Sequence, residues 1–370
     1  MSAIWLLALL HLYIGWRIAP QLPGSAAPVL FVGLLFLSSA LIPAAFLGRR
    51  ARQRSVADRW SWAGMLTLGL FSMLLVLALL RDLILLLAWL FPLPSLALPT
   101  AVAVPVLALV AMLCGLAGAR RTARVRHVDV PIAGLPAALQ GFTIAQISDL
   151  HVGPTLKGPY VQAIVEAVNG LNADAVAVTG DLVDGRVADL SQDVAPLAGL
   201  RSRHGTFFVT GNHEYYSGAN EWIALLLTMG LRVLTNAHVV LDHDGALLVM
   251  AGVADYSAHH FEPSHRSDPQ AALAGAPDDA GLRVLLAHQP RSASASADAG
   301  FDVQLSGHTH GGQFWPFTLL VPLQQPFTAG LHRLRSLWVY TSRGTGYWGP
   351  PLRLGAPSEI TRLRFVAASL

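Results

Sequence analysis

The sequence contains little cysteine and little charge. Its 370 residues include one cysteine, Cys114, so a disulfide within the chain and a metal site built from several thiolates are both excluded. Charged residues make up 13% of the chain and hydrophobic residues 53%. A soluble protein usually has about 25% charged residues. The deficit indicates that part of the chain does not face water.

The sequence also lacks the features of a nucleic-acid-binding surface. The formal net charge is only +3, and the basic residues cluster beside apolar runs instead of alternating with aromatic residues. We therefore expect no nucleic-acid partner and read the arginine clusters as signals of membrane topology.

Apolar residues are concentrated in residues 1–119, where four long runs occupy 4–20, 28–47, 62–90 and 99–119. A membrane-spanning helix needs about 20 apolar residues, so these runs predict four spans and a membrane bilayer partner. The third run is unusually long and contains Arg81 and Asp82. It is either one tilted helix with a buried or interfacial ion pair, or a helix that breaks there before a short re-entrant segment.

The distribution of arginine predicts the orientation of these spans. Arginines follow the second and fourth runs, whereas residues 91–98 between the third and fourth carry no charge. Because positive residues stay on the cytoplasmic side, four spans place the N-terminus and the C-terminal half in the cytoplasm. We therefore predict an integral membrane protein whose C-terminal half is cytoplasmic. The two clusters are Arg49, Arg50, Arg52, Arg54 and Arg59, and Arg120, Arg121, Arg124 and Arg126.

After a basic linker at 120–140, residues 141–370 have the composition of a second, water-exposed domain. Short apolar strands each run into polar residues, and stretches 160–169 and 221–229 are typical of helices. This pattern predicts an α/β domain with mixed sheets in two layers and helices outside. Residues 254–281 are expected to be a surface excursion. The predicted strands are 142–148, 174–179, 206–210, 247–252, 283–287, 303–305, 337–341 and 359–366.

The polar residues that follow these strands share one chemical character, since all are nitrogen or oxygen ligands. Carboxylate, imidazole and amide together suit metals such as Mn, Fe and Zn. Seven such groups are too many for one tetrahedral site and are the right number for two metals that share a carboxylate. The candidate metal residues are Asp149, His151, Asp181, Asn212, His288, His308 and His310.

In order and in residue identity, these segments resemble the calcineurin-like metallophosphoesterase family over about residues 142–366. The segments are Asp149-Leu150-His151, Gly180-Asp181, Gly211-Asn212-His213-Glu214, His288 and Gly307-His308-Thr309-His310. The stretches 307–313, 342–346 and 357–360 are similar to the membrane-associated bacterial branch of that family. This resemblance implies an integral protein of the bacterial inner membrane. Five ordered segments, each after a strand, carry more weight than any single one.

The resemblance implies a four-layer α/β/β/α sandwich of two mixed sheets at 141–370, preceded by the all-α membrane region at 1–119. It implies that Asp149, His151 and His310 hold a first metal ion and that Asn212, His288 and His308 hold a second. Asp181 would bridge the two. A metal-bridging hydroxide would then hydrolyse a phosphomonoester, a phosphodiester or a pyrophosphate. A lipid-linked substrate is one candidate.

The resemblance further implies that His213 is the general acid for the leaving oxygen and that Asp184 orients its ring. Locally, Asp149-x-His151 is expected to be extended, so that both side chains point the same way. Glycines beside Asp181, Asn212 and His308 are expected to let the backbone turn tightly. Glu214 either is a further metal ligand or fixes the local backbone or the groups around the ligands, and we favour the second role.

Residues 314–327 are strongly apolar and follow the last metal residue directly. They form either a rim that touches lipid or an acyl chain, or ordinary core packing.

Three other functional readings remain open at this point. The chain could be a non-catalytic membrane sensor or scaffold that retains a phosphoesterase-like domain. It could be a transporter with a regulatory domain, although Arg81 and Asp82 are the polar pair that stands out within the runs. The hydrolase could also face the other side of the membrane and act on an envelope phosphate. Oligomeric state is not indicated.

Overall fold

The computed structural model describes residues 3–48, 53–91 and 95–368, which belong to two compact units. The first unit is Met1–Arg120 with Gly349–Leu354, and the second is Arg121–Trp348 with Gly355–Leu370. Arg49, Arg50 and Arg52 of the first arginine cluster lie outside the described residues, as do residues 92–94 of the uncharged connection.

Four long helices form the first unit, and each is long and apolar enough to cross a membrane. This confirms the predicted region of four long apolar helices. The third is one continuous helix of 36 residues, so the alternative with a break at Arg81 is wrong. Its length of about 54 Å exceeds the roughly 30 Å of a bilayer core. The helices are α1 Ala3–Ile18, α2 Ala26–Gly48, α3 Arg54–Trp89 and α4 Ala97–Arg120.

Asp82 in α3 is the centre of a polar network among these helices. Its two carboxylate oxygens accept hydrogen bonds from Arg17 of α1 at 2.8 and 2.9 Å. The Tyr13 hydroxyl donates a further bond at 2.8 Å. Arg81 lies farther away, with 3.6 Å between its Nη1 and Asp82 Oδ1. The closest partner of Asp82 is therefore Arg17. The ion pair between Arg81 and Asp82, which the sequence suggested, has the longer distance.

Arg81 instead links helix ends. Its side chain is only 2% exposed and donates to the carbonyl oxygens of Arg17 at 3.1 Å and Ala97 at 3.2 Å. It also donates to the Thr100 hydroxyl at 3.1 Å. Charged groups inside membrane-spanning segments are costly unless they are paired in this way. The network therefore fastens the end of α1, the later part of α3 and the start of α4 to one another.

The second unit contains two six-stranded mixed sheets. The first has the order β1-β12-β2-β3-β4-β5, and the second β10-β11-β9-β8-β7-β6. The strands are β1 Arg124–Ile132, β2 Thr143–Ile147, β3 Ala175–Thr179, β4 Thr206–Val209, β5 Arg232–Val233, β6 Ala237–His243, β7 Ala246–Gly252, β8 Leu282–Leu286, β9 Val303–Ser306, β10 Gly330–Leu334, β11 Leu337–Thr341 and β12 Glu359–Ala367.

Parallel pairing in the middle of each sheet decides where the polar loops lie. Strands β2, β3, β4 and β5 run parallel in the first sheet, and β7, β8, β9 and β11 run parallel in the second. Side chains from both sheets, including Ile144, Phe207, Met250 and Leu305, are buried in one shared core. The two sheets therefore pack face to face.

Helices flank this sandwich on its outer sides. Val161, Ile164, Val165 and Val168 form the buried face of α5, at the spacing expected of an amphipathic helix. On the other side, Ala272 of α9 and Ala293 of α10 pack with strands of the second sheet. The four-layer α/β/β/α architecture is thus confirmed. The helices are α5 Gly158–Asn169, α6 Val187–Val194, α7 Asn212–Ser217, α8 Ala219–Thr228, α9 Pro269–Leu273 and α10 Ala293–Ala299.

The sequence did not indicate β1, β5, β6 and β10. Strand β1 lies within residues 120–140, where a linker was expected, and pairs in parallel with β12 along nine residues. Its exposed residues include Arg124, Arg126 and His127, so its charge resembles that of a solvated connection. The excursion at 254–281 likewise includes α9, whose Ala272 is fully buried.

The network around Asp82 predicts a stability effect in the first unit. Asp82→Asn leaves the charges of Arg17 and Arg81 without their carboxylate, which should cost about 1–3 kcal/mol. The measurement is thermal unfolding of the full chain in detergent, with Leu86→Ala on the lipid-exposed side of the same helix as control. If Asp82→Asn and Leu86→Ala unfold at the same temperature as the parent, the network does not stabilise the helices.

Candidate metal centre

The loops that carry the candidate metal residues converge from both sheets. Asp149 and His151 follow β2, Asp181 follows β3, and Asn212 follows β4 in the first sheet. His288 follows β8, and His308 with His310 follows β9 in the second sheet. Because the carboxyl ends of parallel strands meet at one edge of a sheet, two sheets packed face to face bring all five loops together.

One cluster of ligand atoms contains Asp149, His151 and His310, which lie within 4.8 Å of one another. The Nε2 atoms of His151 and His310 are 3.0 Å apart. Nε2 of His310 is 3.5 Å from Oδ1 of Asp149. All three residues are buried. These are the residues predicted for the first metal ion.

A second cluster contains Asp181, His288 and His308. Nε2 of His288 lies 3.1 Å from Oδ2 of Asp181 and 3.2 Å from Nδ1 of His308. Oδ2 of Asp181 is also 3.8 Å from Nε2 of His151, so this carboxylate lies between the two clusters. Asn212 is buried in the adjoining loop, where the next residue, His213, donates its backbone N–H to Asp181 at 2.9 Å.

The chemistry of these donors fits metal ions. Asp149 Oδ2 and Asn212 Oδ1 are shielded from solvent, and neither accepts a hydrogen bond from the described residues. Leaving a buried acceptor unpaired costs about 1–3 kcal/mol, so a ligand that uses both oxygens would remove a penalty. Nitrogen and carboxylate donors in this combination suit Mn, Fe or Zn.

The protonation of the second cluster supports the same conclusion. Burial and the nearby charge of His288 lower the pKa of His308 to about 3, so its ring stays neutral, as a metal ligand must be. Nδ1 of His288 is 2.7 Å from the Thr179 carbonyl oxygen and donates to it, which turns Nε2 towards the cluster. Burial acts to lower the pKa of His288, but Asp181 outweighs it and raises the pKa well above its ordinary value. The Asp181 carboxylate therefore favours a positive charge beside it, and a bound metal ion would supply that charge in place of the His288 proton.

Asp184 connects the first cluster to His213. Its Oδ1 accepts from Nδ1 of His151 at 2.9 Å and from Nδ1 of His213 at 2.6 Å. Burial would lower the pKa of His213, but the bond to Asp184 and the charge of Asp181 outweigh burial and raise the pKa to about 9. The ring is thus held protonated at neutral pH, with Nε2 as the nitrogen that can face a bound molecule.

Glu214 fixes the backbone around the second cluster. Oε2 accepts from the N–H groups of Asp181 at 3.0 Å and Gly211 at 2.6 Å, and Oε1 accepts from Leu182 at 2.7 Å. The expectation that Glu214 supports the backbone is confirmed. Burial and the charge of Asp181 raise the pKa of Glu214 to about 7.

The backbone at the metal residues differs from the expected extended form. Five of them adopt the left-handed conformation, which is uncommon for residues with a side chain and costs of order 1–3 kcal/mol each. The expectation that Asp149-x-His151 is extended is therefore wrong. The φ values are 54° at Asp149, 52° at His151, 52° at Asp181, 70° at His308 and 51° at His310.

Glycine is needed at two of the predicted positions because of close approach. A Cβ on Gly211 would lie 2.2 Å from Oδ1 of Asp181. A Cβ on Gly307 would lie 2.0 Å from the Ser148 hydroxyl and 2.2 Å from Oδ2 of Asp149. These glycines allow neighbouring loops to touch, which is a different reason from the tight turn that was expected.

The stretch 342–346 supports the first metal loop. The N–H groups of Thr345 and Gly346 donate to the carbonyl oxygens of Ser148 and Asp149 at 2.7 and 3.0 Å. The Thr345 hydroxyl in turn donates to the Glu359 carbonyl oxygen at 2.9 Å. The segment therefore braces the loop that carries Asp149.

Two aromatic side chains beside His213 were not identified from the sequence. The ring centroids of Tyr216 and Trp348 lie 5.2 and 6.0 Å from that of His213. Tyr216 is three residues after His213 on α7, a spacing that places side chains on one helix face. That spacing was the available signal, whereas Trp348 is too distant in sequence for any local pattern.

Several known proteins are similar to this chain in sequence. A family model described as calcineurin-like phosphoesterase matches residues 142–312. The "Transmembrane protein with metallophosphoesterase domain" of Bos taurus is 40% identical over 286 residues, which cover 74% of this chain and 64% of that protein. The Danio rerio protein of the same name is 39% identical over 257 residues, covering 67% and 59% of the two chains. The alignments thus span less than two thirds of each vertebrate relative.

A smaller bacterial relative is covered almost completely. The uncharacterized metallophosphoesterase of Aquifex aeolicus (strain VF5) is 31% identical over 239 residues, which cover 64% of this chain and 89% of that protein. The similarity therefore extends well beyond the metal motifs, and the chain belongs to the calcineurin-like metallophosphoesterase family.

Proposed function

We propose that this membrane protein is a phosphoric ester hydrolase that uses two divalent or trivalent metal ions. The observation that carries the proposal is the position of Asp181. Its Oδ2 is 3.1 Å from a nitrogen of the second cluster and 3.8 Å from a nitrogen of the first. A carboxylate shared in this way suits a pair of metal ions, and such pairs occur in enzymes that cleave phosphate esters.

The proposed metal residues divide between two ions. Asp149, His151 and His310 would hold the first, and Asn212, His288 and His308 would hold the second, with Asp181 between them. When bound, the ions supply an activated water at neutral pH and neutralise charge on the phosphoryl oxygens. Mn, Fe and Zn all match the donor set, and we propose that the two ions are drawn from these metals.

His213 is the proposed general acid. Its Nδ1 is held by Asp184 at 2.6 Å, so Nε2 is the atom that would deliver a proton to the leaving oxygen. Asp184 is the proposed positioning residue. Because the same Asp184 oxygen also accepts from His151, the acid is aligned with the first metal cluster. A general acid of this type contributes about 10²–10⁴-fold to the rate.

The proposal extends to substrate and location. A phosphomonoester, a phosphodiester or a pyrophosphate would each place a leaving oxygen at His213, and a lipid-linked ester fits a chain with four membrane-spanning helices. Arg54 and Arg59 at the start of α3 and Arg120 at the end of α4 lie on the same side of the four-span topology. We therefore propose the inner membrane, with the second unit in the cytoplasm.

A metal-dependence experiment tests the hydrolase proposal. The full chain, purified in detergent and supplied with Mn²⁺, should cleave an aryl phosphate or its diester, lose activity with a chelator and regain it with Mn²⁺. Asp181→Asn should lose at least about 10²-fold, since the shared carboxylate is removed. Bound metal is measured on each sample.

Asp129→Asn is the matched control, because Asp129 is an exposed acid paired with Arg364. It should keep parental activity and metal content. A folded, metal-loaded chain that cleaves no member of a broad phosphoester panel would refute the hydrolase proposal and favour a non-catalytic sensor or scaffold.

The acid proposal predicts a dependence on the leaving group. His213→Gln should lower kcat by about 10²–10⁴-fold for an ester with an alcohol leaving group. The loss should be much smaller for 4-nitrophenyl esters, because nitrophenolate departs without a proton. The comparison of the two esters at constant metal content is the measurement. Equal losses for both leaving groups would show that His213 has another role.

The orientation proposal predicts where a protease can act. In spheroplasts the second unit should be resistant to added protease, and it should become sensitive in inverted membrane vesicles. Digestion of the second unit in spheroplasts would place it outside the cytoplasm, where the substrate would be an envelope phosphate.

A further inference from the structure

Two large aromatic rings stand beside the proposed acid and are open to solvent. Tyr216 is 61% exposed and Trp348 is 54% exposed. Both rings meet the His213 ring edge to face, at interplanar angles of 61° and 77°. Neither side chain belongs to the metal clusters. The exposed rings therefore border the place where a leaving group would depart.

Tyr216 is supported by a second aromatic residue. Phe261 lies 5.5 Å from the Tyr216 ring and is itself 52% exposed. Tyr215 supports Phe261 from behind at 6.0 Å, and the Tyr215 hydroxyl is hydrogen-bonded to His265 at 2.8 Å. The apolar surface around Tyr216 is thus built on fixed neighbours.

Trp348 is held through its backbone. Its N–H donates to Oε1 of Gln313 at 2.8 Å, and its carbonyl oxygen accepts from Nε2 of Gln313 at 2.7 Å. Gln313 is three residues after His310, so the bonds tie the Trp348 backbone to the loop that carries His310. Replacing the Trp348 side chain leaves both bonds possible, because they use main-chain atoms.

The chemistry of these surroundings is apolar. Exposed apolar side chains occur singly on most proteins and need no explanation. Here two exposed rings contact the ring of one histidine, and the exposed ring of Phe261 contacts one of the two. A polar leaving group would gain little from these rings, whereas an apolar chain beside His213 would remove their area from water.

We propose that Tyr216 and Trp348 are specificity residues that contact an apolar chain on the leaving group of the substrate. The inference rests on the proposed hydrolase function and narrows it. The substrate class is a phosphate ester whose leaving group is amphiphilic, with its oxygen at His213 and its hydrocarbon against the two rings. The rings hold the leaving group and take no part in proton transfer.

The test uses two esters that share a leaving-group pKa and differ only in apolar length. 4-Ethylphenyl and 4-hexylphenyl esters, of whichever phosphate class the parent cleaves, differ by four methylenes. Partial burial of these groups predicts a kcat/KM ratio of about tenfold in favour of the hexyl ester. Trp348→Ala and Tyr216→Ala should each reduce the ratio to about twofold or less, and Trp348→Phe should retain most of it.

The ratio of the two kcat/KM values is the readout, because general damage to the site lowers kcat/KM for both esters together. Partition of the esters into detergent is the same for every variant. Val240→Ala, an exposed apolar position on β6, is the control and should keep the parental ratio. Bound metal and thermal unfolding are measured on each variant, and either alanine variant serves alone if the other does not fold.

The outcomes separate the two proposals. A parent that cleaves neither ester, nor any other member of the panel, contradicts the hydrolase function. A parent that cleaves both esters equally retains the function and overturns the apolar leaving group. A parental preference that persists in Trp348→Ala and Tyr216→Ala shows that the rings only shield His213 from water, which also overturns the inference.

Discussion

The second unit is organised around Asp181, a carboxylate held in its charged form where water does not reach. Asp149 and Asp181 are almost completely buried, and burial alone acts to raise the pKa of both. At Asp181 the surrounding structure outweighs burial and holds the pKa well below its ordinary value, whereas the pKa of Asp149 stays raised. His288 stands 3.1 Å from Asp181, and the His213 N–H donates to its other oxygen. Two packed sheets are what make this possible, because each contributes loops from the same edge.

The unusual backbone follows from the same requirement. Five proposed metal residues adopt left-handed conformations, and Gly211 and Gly307 allow loops to approach within contact distance. Such conformations persist only where the surroundings hold them. Glu214 and the 342–346 segment supply that support through main-chain hydrogen bonds. Much of the polar structure near the site therefore serves to hold loops that would not adopt these shapes alone.

The sequence predicted the parts of this design that have a local pattern. Buried central strands such as β2 and β3 are short apolar runs, and the residues that follow them carry the metal motifs. Strand β1 was missed because its exposed arginines resemble a linker, and β5 was missed because it has only two residues. The pairing of Arg17 with Asp82 joins residues 65 apart in sequence, and one sequence does not show which helix faces meet. The position of Trp348 beside His213 could not be predicted from the sequence for the same reason.

One oxygen of Asp184 serves two histidines, and this sharing limits how the site can diversify. A change that rotates His151 would also act on His213, so the proposed preference for a metal ion and the alignment of the proposed acid are coupled through Asp184. Substitutions disturb the two histidines least at side chains that do not contact Asp184. The rings of Tyr216 and Phe261 are of that kind, which makes the border of the site, and not its centre, the place where new selectivity can evolve.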